Sequence, residues 1–332
     1  MRAAVVTEFG GPDVIKTQEW PDPVPAAGQV LVEVEVADVI FVETAIRKGD
    51  HGKFFDVKPP YVPGGSLGGR VRAVGAGVPE EWVGKTVVGR AAGFGAHAEL
   101  ALTTTDLVEV PPGLEVQTAV AVFSDGLTAL MLEELAPPML GKDVLITASA
   151  GGMGLLLIQL AHKAGAKVVA AARGPEKLAL SKAQGADVVI DYGKPGWEKL
   201  VLEATSNQGA DIVFEGAGGD LGATAFTVIK DGGWFSAHGA PSGGFAPIDP
   251  TEAERRRVTV KGIMDLRADS TTTAVTGADV IARAVSGDLV PVIDQVYELD
   301  QVADAHRALE NRALRGKALI RVSRRPAGPS GR

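Results

Sequence analysis

The chain contains no cysteine. That excludes disulfides, thiolate metal sites and a cysteine nucleophile. Its five histidines, His51, His97, His162, His238 and His306, are scattered, and no pair has the close spacing of a metal-binding helix. No Gly-x-Ser-x-Gly elbow occurs, so that route to an activated serine is missing. No apolar run is long enough to cross a bilayer. The opening Met1-Arg2-Ala3-Ala4-Val5-Val6 lacks the long apolar core of a signal peptide. These absences predict a soluble, cytoplasmic protein. Basic runs are also missing, and a net charge of -8 argues against a nucleic-acid partner.

What is present is a globular composition, 45% apolar and 22% charged, over 332 residues. A chain of that length is expected to split into two cores. Val30-Leu31-Val32-Glu33-Val34-Glu35-Val36 alternates apolar and acidic residues, as a half-buried strand does. Ahead of it, Pro21, Pro23, Pro25 and Gly28 mark a loop. Glycines then recur at Gly64-Gly65, Gly68-Gly69, Gly75, Gly77, Gly84 and Gly89 between short Val-rich pieces, which predicts a small barrel of sharply turned strands.

After Pro111-Pro112-Gly113 the character changes. Residues 115–135 carry helix formers, and βα units follow. Asp143 to Thr147 reads as a buried strand, Leu155 to Ala164 as a helix, Lys167 to Ala172 as a strand and Glu176 to Gln184 as a helix. Val188 to Ile190 and Ile212 to Phe214 are further strands. This alternation predicts an α/β doubly wound parallel sheet. Past Gly287 short strands return, ending in Ala318 to Val322. The prediction is a barrel domain of residues 1–121 plus 288–323, a cofactor domain of 122–287 inserted into it, and a disordered tail at 324–332.

The cofactor motif is Ala150-Gly151-Gly152-Met153-Gly154. It follows a strand and opens a helix, the context a pyrophosphate site requires. Gly151 and Gly152 would allow a tight turn and close approach to phosphate, and Gly154 would let helix pack on strand. About 20 residues on, NAD-binding proteins place an acid for the ribose hydroxyls. Here the segment is Arg173-Gly174-Pro175-Glu176-Lys177, in which Arg173 and Lys177 could pair with a 2′-phosphate. Tyr192 is a candidate for the adenosine end. Gly216 and Gly218, with His238-Gly239-Ala240, form two Gly-rich turns after apolar strands, placed to approach a nicotinamide. Thr128 and Lys317 complete the cofactor set, and the predicted cofactor is NADPH.

With these pieces in place, the sequence resembles the medium-chain dehydrogenase/reductases, specifically the zinc-free, quinone oxidoreductase-like branch. The resemblance runs from about Met1 to Val322. It rests on Phe9-Gly10-Gly11-Pro12, Pro63-Gly64, Gly126-Leu127-Thr128-Ala129, the Ala-Gly-Gly-x-Gly turn, Glu176-Lys177-Leu178, Gly185-Ala186-Asp187 and Gly316-Lys317. It implies a GroES-like barrel plus a Rossmann domain, with the active site in the cleft between them. It also implies that the catalytic-zinc positions of the metal-using branch fall at Ile40, Gly65 and Asp125, so no metal is expected. The Asn and Tyr of well-known quinone reductases become Ile40 and Ala45.

For the chemistry, the candidate catalytic residues are His238, Glu43, Asp125 and Thr128. His238 or backbone N–H groups would polarise an acceptor. Simpler roles stand beside these. Glu43 and Arg47 could be an i,i+4 surface pair, Asp38 and Asp125 helix caps, and His51 a loop residue. The predicted function is NADPH-dependent hydride transfer to a small-molecule quinone or activated enone. The alternatives are an enoyl reductase acting on a biosynthetic intermediate and a nucleotide-binding protein without redox turnover. Gly233-Trp234-Phe235-Ser236 and Val258-Thr259-Val260 predict a homodimer joined through the cofactor domains.

Overall fold

The alternating valines of the N-terminal region do form a strand, and its far end turns inward with a charge aboard. The computed structural model describes residues 1–50, 55–269 and 276–322. His51 and the predicted disordered tail at 324–332 lie outside the described residues. Strands β1 (Arg2–Val6) and β2 (Ile15–Glu19) pair antiparallel. In β3 (Val30–Val39), Val30, Val32 and Val34 are buried while Glu33 and Glu35 face solvent. From Val36 to Val39 every side chain is buried, Asp38 included. Helix α1 (Phe41–Lys48) follows and stops at Gly49, whose φ of +84° suits only glycine at low cost.

Then come β4 (Ser66–Val74), β5 (Thr86–Ala91), β6 (Leu100–Glu109) and α2 (Val116–Leu135). Gly68 and Gly69 lie inside β4 rather than in a turn, and they serve close approach. A Cβ on Gly69 would sit 2.0 Å from the Glu33 carbonyl, so β4 can lie against β3 there only without a side chain.

The inserted unit is built from β7 (Asp143–Thr147), α3 (Gly152–Lys163), β8 (Lys167–Ala172), α4 (Pro175–Ala183) and β9 (Val188–Asp191). It continues through α5 (Trp197–Ala204), β10 (Ala210–Glu215), α6 (Gly219–Thr227) and β11 (Ile229–Ala237). It ends with α7 (Pro250–Arg255), β12 (Thr259–Gly262) and α8 (Ile263–Asp269). The sheet order is β12-β11-β10-β7-β8-β9 and every pairing is parallel. Leu145, Val169, Val213 and Phe235, from four neighbouring strands, are buried in one core cluster. The chain runs outward from β7 in both directions, so β7 and β10 flank the switch point at which doubly wound sheets bind ligands.

The chain then forms α9 (Gly277–Ser286), β13 (Ile293–Glu298), α10 (Val302–Glu310) and β14 (Lys317–Arg321). Strand β14 inserts between β13 and β3, completing the order β13-β14-β3-β4-β5-β6, and β3 also pairs with β6. The chain divides into two compact units. One holds Met1–Ser124, Gly277–Val285 and the chain from Ile293; the other holds Asp125–Thr276 and Ser286–Val292. No helix among the described residues is long and apolar enough to cross a membrane.

Candidate functional site

At the switch point, β7 leads into the Ala150–Gly154 turn. The left-handed residue lies just ahead of that turn, at Ala148 with φ +48°, whereas Gly151 is extended. The tight turn therefore does not depend on Gly151 as the sequence suggested. Gly154 does carry the predicted packing role, since a Cβ there would lie 2.6 Å from the Ala148 carbonyl. Helix α3 begins at Gly152, and its N-cap residue, Gly151, supplies no side-chain cap. Its first turn thus presents N–H groups and a partial positive charge without a competing side chain.

Across from this turn stands Glu215, buried at the end of β10. Its Oε1 accepts hydrogen bonds from the Thr147 hydroxyl at 3.0 Å, the Ala217 N–H at 2.6 Å and the Gly218 N–H at 2.8 Å. The Thr147 hydroxyl oxygen in turn accepts from the Gly216 N–H at 2.9 Å. Burial pushes the Glu215 carboxyl up, against the opposing pull of these bonds. Two residues thus tie down three successive N–H groups. The N–H groups of His238 and Gly239 both go to the Glu215 carbonyl. The backbone donors suggested for polarising an acceptor are therefore already used at these positions.

The two Gly-rich turns pack backbone on backbone. A Cβ on Gly239 would lie 2.0 Å from the Gly216 carbonyl, and one on Gly218 2.2 Å from the Gly244 carbonyl. His238 is buried, its Nδ1 is 2.8 Å from the Ser236 hydroxyl, and its Nε2 faces Gly216. Burial lowers its pKa to about 4, so the ring is neutral at neutral pH.

At the neighbouring strand ends, Arg173 follows β8 and lies against Gly193, where a Cβ would be 3.1 Å from the arginine Cγ. Ala172 and Asp191 are register partners, which brings Arg173 beside Tyr192. The Tyr192 ring packs edge-on against Trp197 at 6.3 Å. Gly174 has φ +85° and leads into α4, whose first turn carries Lys177. The structure thus brings Arg173, Gly174, Lys177 and Tyr192 to the ends of two adjacent strands.

Several roles read from the sequence do not survive. Asp38 caps no helix: it is buried in β3, its Oδ1 accepts the Ser66 N–H at 3.0 Å and its Oδ2 accepts from Lys317 Nζ at 3.1 Å. Lys317 is only 4% exposed in this ion pair, so it is withdrawn from the cofactor set. Asp125 lies within α2 and cannot cap it, and Thr128 sits one turn further along. Glu43 and Arg47 are not a surface pair. Both are buried, and Arg47 pairs with Glu310 across 263 residues of sequence. Burial, then the Asp38 charge, raises the Glu43 carboxyl well above its ordinary range. Glu43 is only 2% exposed, which argues against direct contact with a substrate. Ile40 precedes α1 and Gly65 precedes β4, and neither offers a side-chain donor.

One further feature left no sign in the sequence. A cavity of about 420 Å³ in the barrel unit is lined by Trp20, Lys58, Tyr61, Phe94 and Leu102, among others. Burial pushes the Tyr61 hydroxyl up to about 12, which keeps it a neutral donor. The backbone pairing of Tyr61 with Val6 and the contact of its ring with Phe94 at 6.3 Å, both from distant sequence, place that ring.

The profile described as alcohol dehydrogenase GroES-like domain matches residues 26–112, and that described as zinc-binding dehydrogenase matches 152–284. The quinone oxidoreductase of Sus scrofa is 30% identical over 326 residues, covering 96% of this chain and 97% of its own. The chain belongs to the quinone oxidoreductase-like branch of the medium-chain dehydrogenase/reductases. Among solved structures of this fold, mycobacterial Rv1454c complexed with NADPH superposes with a TM-score of 0.86 at 30% identity, over 97% of this chain and 100% of that one. An NAD-dependent alcohol dehydrogenase gives 0.85 at 28%, with the same coverages. An oxidoreductase of the GroES-like plus Rossmann architecture is thereby established.

Proposed function

We propose that the protein is an NADPH-dependent reductase of quinones or activated enones whose hydride transfer needs no catalytic metal. The observation that carries the cofactor preference is Arg173 at the end of β8, where an acid would favour NAD, beside Lys177 and Tyr192 on the same sheet end. The NADPH found with Rv1454c supports it. The residues fit a dinucleotide: α3 has an uncapped N-terminus, and Gly154, Gly218 and Gly239 stand where a Cβ would clash.

Ala150–Gly154 would hold the pyrophosphate. Arg173, Gly174, Lys177 and Tyr192 would hold the 2′-phosphate end. Gly216, Gly218, His238, Gly239, Ala240 and Thr128 would border the nicotinamide. When bound, NADPH supplies the hydride. The Thr147–Glu215 pair keeps the 216–218 turn in one conformation, so the pocket is organised in advance. Neutral His238 can offer a hydrogen bond from Nε2 if Ser236 donates to Nδ1, and it carries no charge to neutralise.

The places that correspond to zinc ligands in metal-using relatives are Ile40, Gly65 and Asp125, of which only Asp125 has a donor side chain. Without a Lewis acid, the acceptor must delocalise its own developing charge, as a quinone or enone does. The test is steady-state turnover with NADPH and NADH against quinones, enones and plain alcohols. NADPH-linked reduction of the first two classes is expected. NAD-linked oxidation of a plain alcohol, with no quinone or enone turnover, would overturn the reading.

A further inference from the structure

The barrel unit encloses a group of polar side chains that the proposed reaction does not use. Among the described cations, Arg47 pairs with Glu310 through Nη2 while its buried Nε and Nη1 have no partner, Lys48 also approaches Glu310 at 3.0 Å, and Lys317 pairs with Asp38. Three side chains are left over, Glu43 from α1, His97 from the segment before β6 and His306 from α10. Their side chains are buried, and helices α1 and α10 pack on one another. No Glu43 oxygen, His306 nitrogen or His97 Nδ1 makes a well-formed hydrogen bond, although the Ile40 and Gly65 N–H groups lie toward the Glu43 carboxylate. Five buried polar atoms are thus poorly compensated for their loss of hydration.

The geometry is convergent. One donor atom from each of the three residues lies within 4.8 Å of the other two, and His306 Nε2 is 3.8 Å from Glu43 Oε2. The two imidazoles stand nearly perpendicular, at 83°, with centroids 6.5 Å apart. His97 Nε2 is 2.8 Å from the Asp38 carbonyl oxygen. A carbonyl only accepts, so Nε2 carries the proton and Nδ1 is left as a bare lone pair. Fixing one imidazole nitrogen by donation to a backbone carbonyl is how metal-ligating histidines are oriented. Gly64 makes room for this ring, since a Cβ there would lie 2.7 Å from His97 Cδ2.

We propose that Glu43, His97 Nδ1 and His306 bind a divalent transition-metal ion, of the kind Zn²⁺ represents, inside the barrel unit. A cation takes lone pairs from all three residues at once. Two imidazoles and one carboxylate suit zinc, cobalt or nickel, whereas calcium and magnesium prefer all-oxygen sets. Bonds of 2.0–2.1 Å in a tetrahedral site set ligand atoms about 3.3 Å apart. The side chains must therefore close in slightly on binding. The ion joins α1, α10 and the segment before β6. With three protein donors, a water would complete the tetrahedron, and the ligands are not the side chains at Ile40, Gly65 and Asp125, although Ile40 and Gly65 border Glu43.

The test uses full-length protein stripped with a chelator and dialysed, then titrated with Co²⁺ and, separately, Zn²⁺. One equivalent should bind, with the visible bands of a tetrahedral N,O-ligated cobalt, and Zn²⁺ should displace it and raise Tm. Glu43→Gln, His97→Gln and His306→Gln should each weaken Co²⁺ by roughly 100-fold or more. No stoichiometric binding, or equal affinity in wild type and all three variants, would overturn the proposal. Should the variants not fold, crystals of zinc-soaked wild type decide it at the zinc absorption edge. An anomalous peak among the three side chains supports the site, and a water there overturns it.

Discussion

Glu215 and Thr147 end two adjacent parallel strands and meet at 3.0 Å, and between them they hold the N–H groups of residues 216, 217 and 218. Glu215→Ala removes the acceptor for three buried donors at once. A loss of about 2–4 kcal/mol in unfolding free energy is expected, together with a weaker NADPH complex. Glu215→Gln keeps one accepting oxygen and should recover part of both. Denaturant melts and cofactor titrations of the two variants check this. An alanine variant as stable and as tightly binding as wild type would show that the turn holds itself.

Arg173 sets the cofactor choice in the proposed function. Arg173→Ala should weaken NADPH by about 1–3 kcal/mol, the scale of a charge-assisted hydrogen bond, and leave NADH nearly unchanged. Equal dissociation constants for the two cofactors in wild type would refute the assignment.

His238 gives a pH signature. Burial lowers its folded-state pKa from 6.5 to about 4, so the unfolded chain takes up a proton at higher pH than the folded one. The stability involved is complete above about pH 6.5 and is lost as pH falls toward about 4. Between about pH 7 and about pH 4.5 this one ring should account for about 2 kcal/mol of destabilisation. His238→Gln should flatten the stability profile by that amount. The same site predicts that His238→Ala lowers turnover while NADPH affinity is kept.

The parallel sheet of the inserted unit has β12 as its terminal strand, with no strand on its outer side among the described residues. A homodimer that joins two β12 edges would continue the sheet and protect both. Light scattering should give twice the mass of one chain at micromolar concentration. A monomer there would count against the pairing.

Local signals made most of this architecture readable. The run Asp143 to Thr147, followed by Gly151 and Gly154, spells strand, turn and helix within a dozen residues, and the elements lie where those residues place them. Long-range electrostatics was not readable. Asp38 looks like a cap and Lys317 like a cofactor residue until the fold brings them together across 279 residues. Glu43 and Arg47 fit a surface pair because helical spacing says nothing about which face is covered. Thr147 and Glu215 carried a faint signal, each ending a strand just before a Gly-rich turn. Only the doubly wound strand order makes those two ends neighbours.

The position of β14 has a consequence for synthesis. It pairs with β3, Ala318 opposite Val39, and it delivers the lysine that neutralises Asp38. Between the two strands the ribosome must make the whole inserted unit, whose residues are nearly contiguous. At 5–20 residues per second that interval lasts roughly 15 to 55 s. Throughout it the nascent barrel carries an open strand and an unneutralised acid, while the inserted unit can already fold. The barrel is begun first and finished last, so its early half is the stretch of newborn chain with most need of a chaperone.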